Sequence, residues 1–236
     1  MENKKLWNVT DLSMYLYCPR KFYLEKIKGN DILNKKTIWI LGDSHVAHLF
    51  KNIDNNEIKY GDYVFNHCSV VGLSLNRFLK SNNQEFLKTI PIKEQDVICL
   101  LFGEIDLRKT ILKTSRDKKI PQYFLMYNII TKYLNFFNEL KKKYKNVFIL
   151  SPNGVIKDGQ VNKNVEEYFE IDSEQERMNL WKEFNNTMQK VLLNNYIDFT
   201  KEIRDSKNFI HKNFLIENEN KLKIYLEKWI NKEKNI

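Results

Sequence analysis

Ser44 follows Gly42-Asp43 at the end of the apolar run Ile38–Leu41, and Val46, Leu49 and Phe50 behind it have helical spacing. Such a junction is a buried strand that hands a hydroxyl to the start of a helix. Ligands bind at that edge of an open α/β sheet. The helix start also offers unpaired N–H groups and the positive end of a dipole to an oxyanion. The chemistry this arrangement serves is acyl transfer. It needs a nucleophile, a base to take its proton, a group to orient the base, and donors for the oxyanion.

The other groups stand at the ends of later apolar runs. Gly72 lies just beyond Val64–Val71, where a missing Cβ lets a backbone N–H approach a substrate oxygen. Gly103-Glu104-Ile105-Asp106-Leu107-Arg108 brings carboxylates and a guanidinium to the end of Val97–Phe102. Past Tyr196–Phe199 comes Asn208-Phe209-Ile210-His211, and His211 is the only histidine in the C-terminal two-thirds of the chain. Singly, each has an ordinary structural use. Gly72 suits a turn, Asp106 and Arg108 a local ion pair, and His211 a buried side chain.

Together their order resembles the SGNH/GDSL hydrolase family over roughly residues 37–231. Gly42-Asp43-Ser44 is similar to its first block, whose serine is the nucleophile, with His45 as in its Gly-Asp-Ser-His branches. Gly72 is similar to the second-block glycine, an oxyanion donor. Gly103-Glu104-Ile105-Asp106 falls where the family has Gly-x-Asn-Asp, and Asn208-Phe209-Ile210-His211 where it has Asp-x-x-His. The spacings are family-like: 28 residues from Ser44 to Gly72, 31 from Gly72 to Gly103 and 167 from Ser44 to His211.

The chain departs from the pattern at two places. Ile105 replaces an asparagine whose amide donates to the oxyanion, and losing one such donor costs about 10²–10³ in rate. Asn208 replaces the aspartate that orients the histidine; that change costs about 10⁴ in a serine-protease triad. Asp205 could take over if its loop folds back, and a serine–histidine dyad is also open. The resemblance implies that Asp43, His45, Glu104, Asp106 and Arg108 shape the substrate pocket. Arg108 suits an anionic substrate. It implies no metal and no organic cofactor.

Composition is consistent with a folded enzyme. Of 236 residues, 42% are apolar and 13% aromatic, enough for a sizeable core and too apolar for a disordered chain. Seven glycines and four prolines are few for a turn-rich all-β design. A net charge of +9 admits acidic partners, but Lys141-Lys142-Lys143 falls late in a predicted helix, where cations complement the dipole. Cys18, Cys68 and Cys99 are odd in number and far apart, which suggests neither a disulfide framework nor a zinc site. No apolar signal core follows Met1, and no run approaches the ~20 apolar residues that span a bilayer, so a cytoplasmic setting is expected.

Strands at Ile38–Leu41, Val64–Val71, Val97–Phe102, Val147–Leu150 and Tyr196–Phe199 alternate with helical patterns. Tyr123–Tyr144 carries Phe124, Tyr127, Ile130, Leu134, Phe137 and Leu140 on one stripe. Glu176–Leu193 does the same with Met178, Trp181, Phe184, Met188, Val191 and Leu192, and Leu222–Trp229 supplies a third. The expected fold is a three-layer α/β/α sandwich over residues 35–236, with a parallel sheet of about five strands. Residues 154–175 are polar and read as a long loop or insertion.

Residues 1–34 form a separate helical arm. Cys18-Pro19-Arg20-Lys21-Phe22 within it resembles the N-terminal helix of RecB-type nucleases, whose cysteine binds an iron–sulfur cluster. The further cysteines that such a cluster needs are absent after Cys99. The leading reading is a serine esterase or O-acyltransferase acting on an acylated carbohydrate or other small ester. The alternatives are a degenerate SGNH-like module that binds glycan, and a nucleic-acid-acting protein that uses the basic arm.

Overall fold

A computed structural model describes residues 36–43, 46, 58–60, 63–69, 73–80, 87–88, 90–155, 173–198 and 200. The expected arm at 1–34, the Leu222–Trp229 helix and most of the 154–175 loop lie outside the described residues.

The elements are β1 (Lys36–Gly42), β2 (Ile58–Tyr60), β3 (Tyr63–Ser69), α1 (Leu75–Lys80), β4 (Val97–Leu101), α2 (Ile111–Lys118), α3 (Gln122–Lys143), β5 (Asn146–Leu150), α4 (Glu174–Leu192) and β6 (Tyr196–Ile197). They build one sheet in the order β2-β3-β1-β4-β5-β6. Pairings among β3, β1, β4, β5 and β6 are all parallel. The five expected strands are these five. The sequence reading missed β2, which pairs antiparallel with β3 as Ile58↔Phe65 to Tyr60↔Tyr63. An antiparallel strand at the edge of a parallel sheet is a common variation, and three residues give too short a pattern to recognise.

Register sorts the strand residues onto two faces. Trp39 pairs with Ile98 and Leu41 with Leu100; Ile98 and Leu100 pair in turn with Val147 and Ile149. These side chains share one core with Leu75 and Phe78 of α1, Met126, Tyr133 and Phe137 of α3, and Trp181 and Phe184 of α4. Ile38, Ile40, Cys99 and Leu150 alternate to the opposite face and are buried too. Burial on both faces is why these strands read as continuous apolar runs and not as an alternation. The architecture is the expected three-layer α/β fold.

Two helix faces differ from expectation. The buried stripe of α3 is Met126, Ile129, Ile130, Tyr133, Phe137 and Leu140, while Phe124 and Tyr127 are 63% and 43% exposed. Apolar residues lie on both sides of the first turns of α3, so composition leaves their phase ambiguous. In α4, Val191 is exposed, and the start lies two residues earlier than expected. The signal for that start is Ser173-Glu174-Gln175-Glu176. The Ser173 hydroxyl accepts the Glu176 N–H at 3.2 Å and the Glu176 carboxylate accepts the Ser173 N–H at 3.2 Å, forming a capping box.

At the amino-terminal edge, Asp96 ties the sheet together. Its carboxylate accepts from the Thr37 N–H (3.1 Å), the Trp39 indole (3.2 Å) and the Lys93 N–H (2.9 Å). None of the described helices is long and apolar enough to cross a membrane.

Candidate active site at the carboxyl edge of the sheet

The strand order reverses direction at β1, which lies between β3 and β4. In open α/β sheets the crevice at such a switch point, outside the carboxyl ends of the strands, is where ligands bind. Here it is flanked by Gly42-Asp43 at the end of β1 and by Phe102-Gly103-Glu104 beyond β4.

Gly42 is required by close packing. A Cβ there would collide with the Leu101 carbonyl of β4 and with the Val46 side chain. Asp43 follows, buried at 1% exposure, and its carbonyl accepts the Val46 N–H at 3.1 Å. Ser44 and His45 lie outside the described residues, as do Gly72, Asp205, Asn208 and His211.

Gly103 is required for a different reason. Its φ of +113° is one that L side chains rarely adopt, although a Cβ would meet nothing nearer than 3.7 Å. Its carbonyl accepts the Leu107 N–H at 3.0 Å and so opens the helix that becomes α2. Between them, Asp106–Thr110 form a single π-helical stretch, closed by the Ile111 N–H on the Asp106 carbonyl. Such widened turns often occur at functional sites.

The carboxylates and guanidinium brought there take distinct partners. Arg108 Nε lies 2.5 Å from Glu104 Oε1, and Nη2 donates to Oε2 at 3.4 Å, one helical turn apart. The local ion pair is therefore Glu104–Arg108, not Asp106–Arg108. Asp106 turns the other way. Its two oxygens accept the Leu75 N–H at 2.5 Å and the Asn76 N–H at 3.2 Å, capping α1. Burial raises the Asp106 pKa to about 6. The two backbone bonds oppose that rise, and the neighbouring Asp43 carboxylate adds to it. Ile105 is half-buried in the first helical turn.

The end of β5 supplies residues that the sequence reading did not single out. The Trp181 indole donates to the Pro152 carbonyl at 3.2 Å, and the Ser151 hydroxyl donates to Asp198 at 3.2 Å, joining β5 to the segment after β6. Glu104, Arg108, Asn153, Gly154, Arg177 and Trp181 meet around a crevice of about 10 Å³, room for about one water. Arg177 is 2% exposed. Its signal in the sequence is a lone arginine next to Met178 on the apolar stripe of α4, where a cation is unusual. Among the described residues, no group of three or more histidine, cysteine or acidic side chains is placed to hold a metal ion.

No protein-family model matches this chain, and no curated protein matches it in sequence. Solved structures do match it. A candidate acylhydrolase from Bacteroides fragilis superposes with a TM-score of 0.57 at 12% identity, covering 97% of this chain and 99% of that one. A GDSL-like lipase from Bacteroides thetaiotaomicron superposes with a TM-score of 0.50 at 12% identity, covering 92% and 98%. Likeness at this level of identity is likeness of fold. The chain has the α/β fold of these hydrolases over nearly their whole length.

Proposed function

We propose that the chain is a serine ester hydrolase of the SGNH/GDSL type. One observation carries the reading. Gly42-Asp43, the two residues before Ser44, end β1 at the switch point of the sheet, where Gly42 pairs with Leu101, two residues before Gly103-Glu104, on a fold shared with a GDSL-like lipase.

In this mechanism the Ser44 hydroxyl oxygen attacks the acyl carbonyl while His211 takes its proton, oriented by Asn208 or Asp205. The Ser44 and Gly72 backbone N–H groups hold the oxyanion. The bond from acyl carbon to leaving oxygen then breaks, and His211 returns the proton to that oxygen. Water, or a sugar hydroxyl if the enzyme is a transferase, next attacks the acyl-serine and regenerates Ser44. The acyl donor is an acylated carbohydrate or another small ester. Arg108, a quarter exposed beside Glu104 at this edge, supports a substrate bearing an acidic group.

Ile105 favours a second reading on the same fold: a site that binds an acylated glycan with little turnover, since isoleucine cannot donate to the oxyanion. A fluorophosphonate probe separates the two. The enzyme is expected to label, and Ser44→Ala to lose the label together with hydrolysis of p-nitrophenyl acetate. Folded wild-type protein that neither labels nor hydrolyses that ester would sink the enzymatic reading.

A further inference from the structure

The first turns of α3 face outward with an aromatic surface. Tyr123, Phe124 and Tyr127 are 39%, 63% and 43% exposed. Beside them runs an open groove of about 410 Å³ between α3 and α4, lined by Tyr123, Tyr127, Asn179, Lys182, Glu183 and Asn186. That volume is within the range of small-molecule sites. None of these residues lines the crevice at the carboxyl edge.

The groove has a fixed wall. The Tyr127 hydroxyl donates to Glu183 Oε1 at 2.5 Å, and the same oxygen lies 3.4 Å from the Thr187 hydroxyl, so one tyrosine ring is pinned across the two helices. Gln175 donates to the Asn179 side-chain oxygen at 2.8 Å, which orients that amide as well. A ring held in place at a solvent-facing groove, next to amide, ammonium and carboxylate groups, is a specific combination.

We propose that this groove binds a neutral oligosaccharide. Three considerations select that ligand. The rings offer flat faces of partial negative charge to the C–H groups of a pyranose. The asparagines, Lys182 and Glu183 together supply both donors and acceptors for neighbouring hydroxyls. Finally, Lys182 and Glu183 cancel, so the groove is neutral in a chain whose net charge is +9. An anionic glycan or a nucleic acid strand is drawn to cationic grooves, and this groove is not one. Exposed aromatic rings also suit a protein partner or a second copy, but Lys182 and Glu183 inside the groove are residues that interface centres lack. The groove works independently of Ser44, so its failure leaves the hydrolase reading untouched.

The test titrates the full chain with xylohexaose, cellohexaose and chitohexaose, with a heparin hexasaccharide as the anionic comparison. At least one neutral hexasaccharide should bind. Tyr123→Ala and Tyr127→Ala should each weaken it by about tenfold, the scale of a lost aromatic contact. Tyr127→Phe, which keeps the ring, should weaken it less, and Ser44→Ala should leave it unchanged. Circular dichroism melts confirm that the variants fold. The proposal is overturned if no neutral hexasaccharide binds, if only heparin does, or if binding survives Tyr123→Ala and Tyr127→Ala. Sedimentation showing a dimer that Phe124→Ala dissolves would also overturn it, assigning the face to a second copy.

Discussion

The Asp106 carboxylate accepts the backbone N–H of Leu75 at 2.5 Å, across 31 residues of sequence. One acidic side chain at the end of β4 thus fixes the first turn of the helix that follows β3, and two strand ends of the candidate site are locked to each other. Asp106→Ala leaves two N–H groups without this acceptor and should cost about 1–3 kcal/mol of stability. Asp106→Asn should cost less, because the amide oxygen still accepts. Urea denaturation of both variants at pH 4, below the folded pKa of Asp106, checks the order.

The same residue sets a pH dependence. The folded pKa of Asp106, about 6, is above its unfolded value of 3.8, so the folded state binds the extra proton between those limits. The contribution of this group is therefore complete below pH ~4 and is lost as pH rises through ~6, up to ~3 kcal/mol. The sign is opposite to that of an ordinary ion-paired carboxylate. The difference in melting temperature between wild type and Asp106→Asn should shift against wild type between pH 4 and 7. A flat difference across that range contradicts the assignment.

Gly42 and Gly103 separate two reasons for a glycine. Gly103→Ala forces a side chain onto a φ of +113° and should cost about 1–3 kcal/mol while leaving the sheet packed. Gly42→Ala drives a methyl group into the Leu101 carbonyl and should cost more, by pushing β1 away from β4. Thermal melts rank the two, and amide exchange in β1 and β4 should rise in Gly42→Ala alone.

Asp96 acts on the opposite edge. Removing it in Asp96→Ala strips acceptors from the Thr37 and Lys93 amides and from the Trp39 indole. The expected loss is on the order of 3 kcal/mol, with a change in tryptophan emission. Ester hydrolysis per folded molecule should be unchanged, since Asp96 is at the far end of the strands.

Glu104→Gln removes the charge that faces Arg108 at 2.5 Å. If Arg108 meets an acidic substrate, an ester carrying a carboxylate should gain about fivefold in kcat/KM over a neutral ester of the same size, equal to ~1 kcal/mol. Equal change for both esters would detach Arg108 from substrate choice.

The strand layout was legible because both faces of the sheet are covered. Ile38–Leu41 and Val97–Phe102 are apolar throughout, so no choice of face had to be made. Helix phase was less legible at α3, where Phe124 and Tyr127 look like core residues and only the packing of Met126, Ile129 and Tyr133 shows which side is inside. Gly42-Asp43 and Glu104-Arg108 could be placed at one edge because strand ends bring distant segments together. That Asp106 would turn toward α1 was not legible. It depends on the widened turn at Asp106–Thr110, which has no sequence signature of its own. Arg177 was hidden by its neighbours in an apolar stripe.

Short outer strands also bear on how this chain behaves when it is crowded or stressed. Among the described residues, β2 contributes three residues to one margin of the sheet and β6 two to the other. Margins of that length expose few unpaired amides for a stray strand to pair with. Of the longer segments, β1, with seven residues, is flanked by hydrogen-bonded neighbours on both sides, while β2 covers β3 along Tyr63–Phe65. Strand addition at β1 must therefore wait for the sheet itself to open, which ties that route to aggregation to the global stability of the protein.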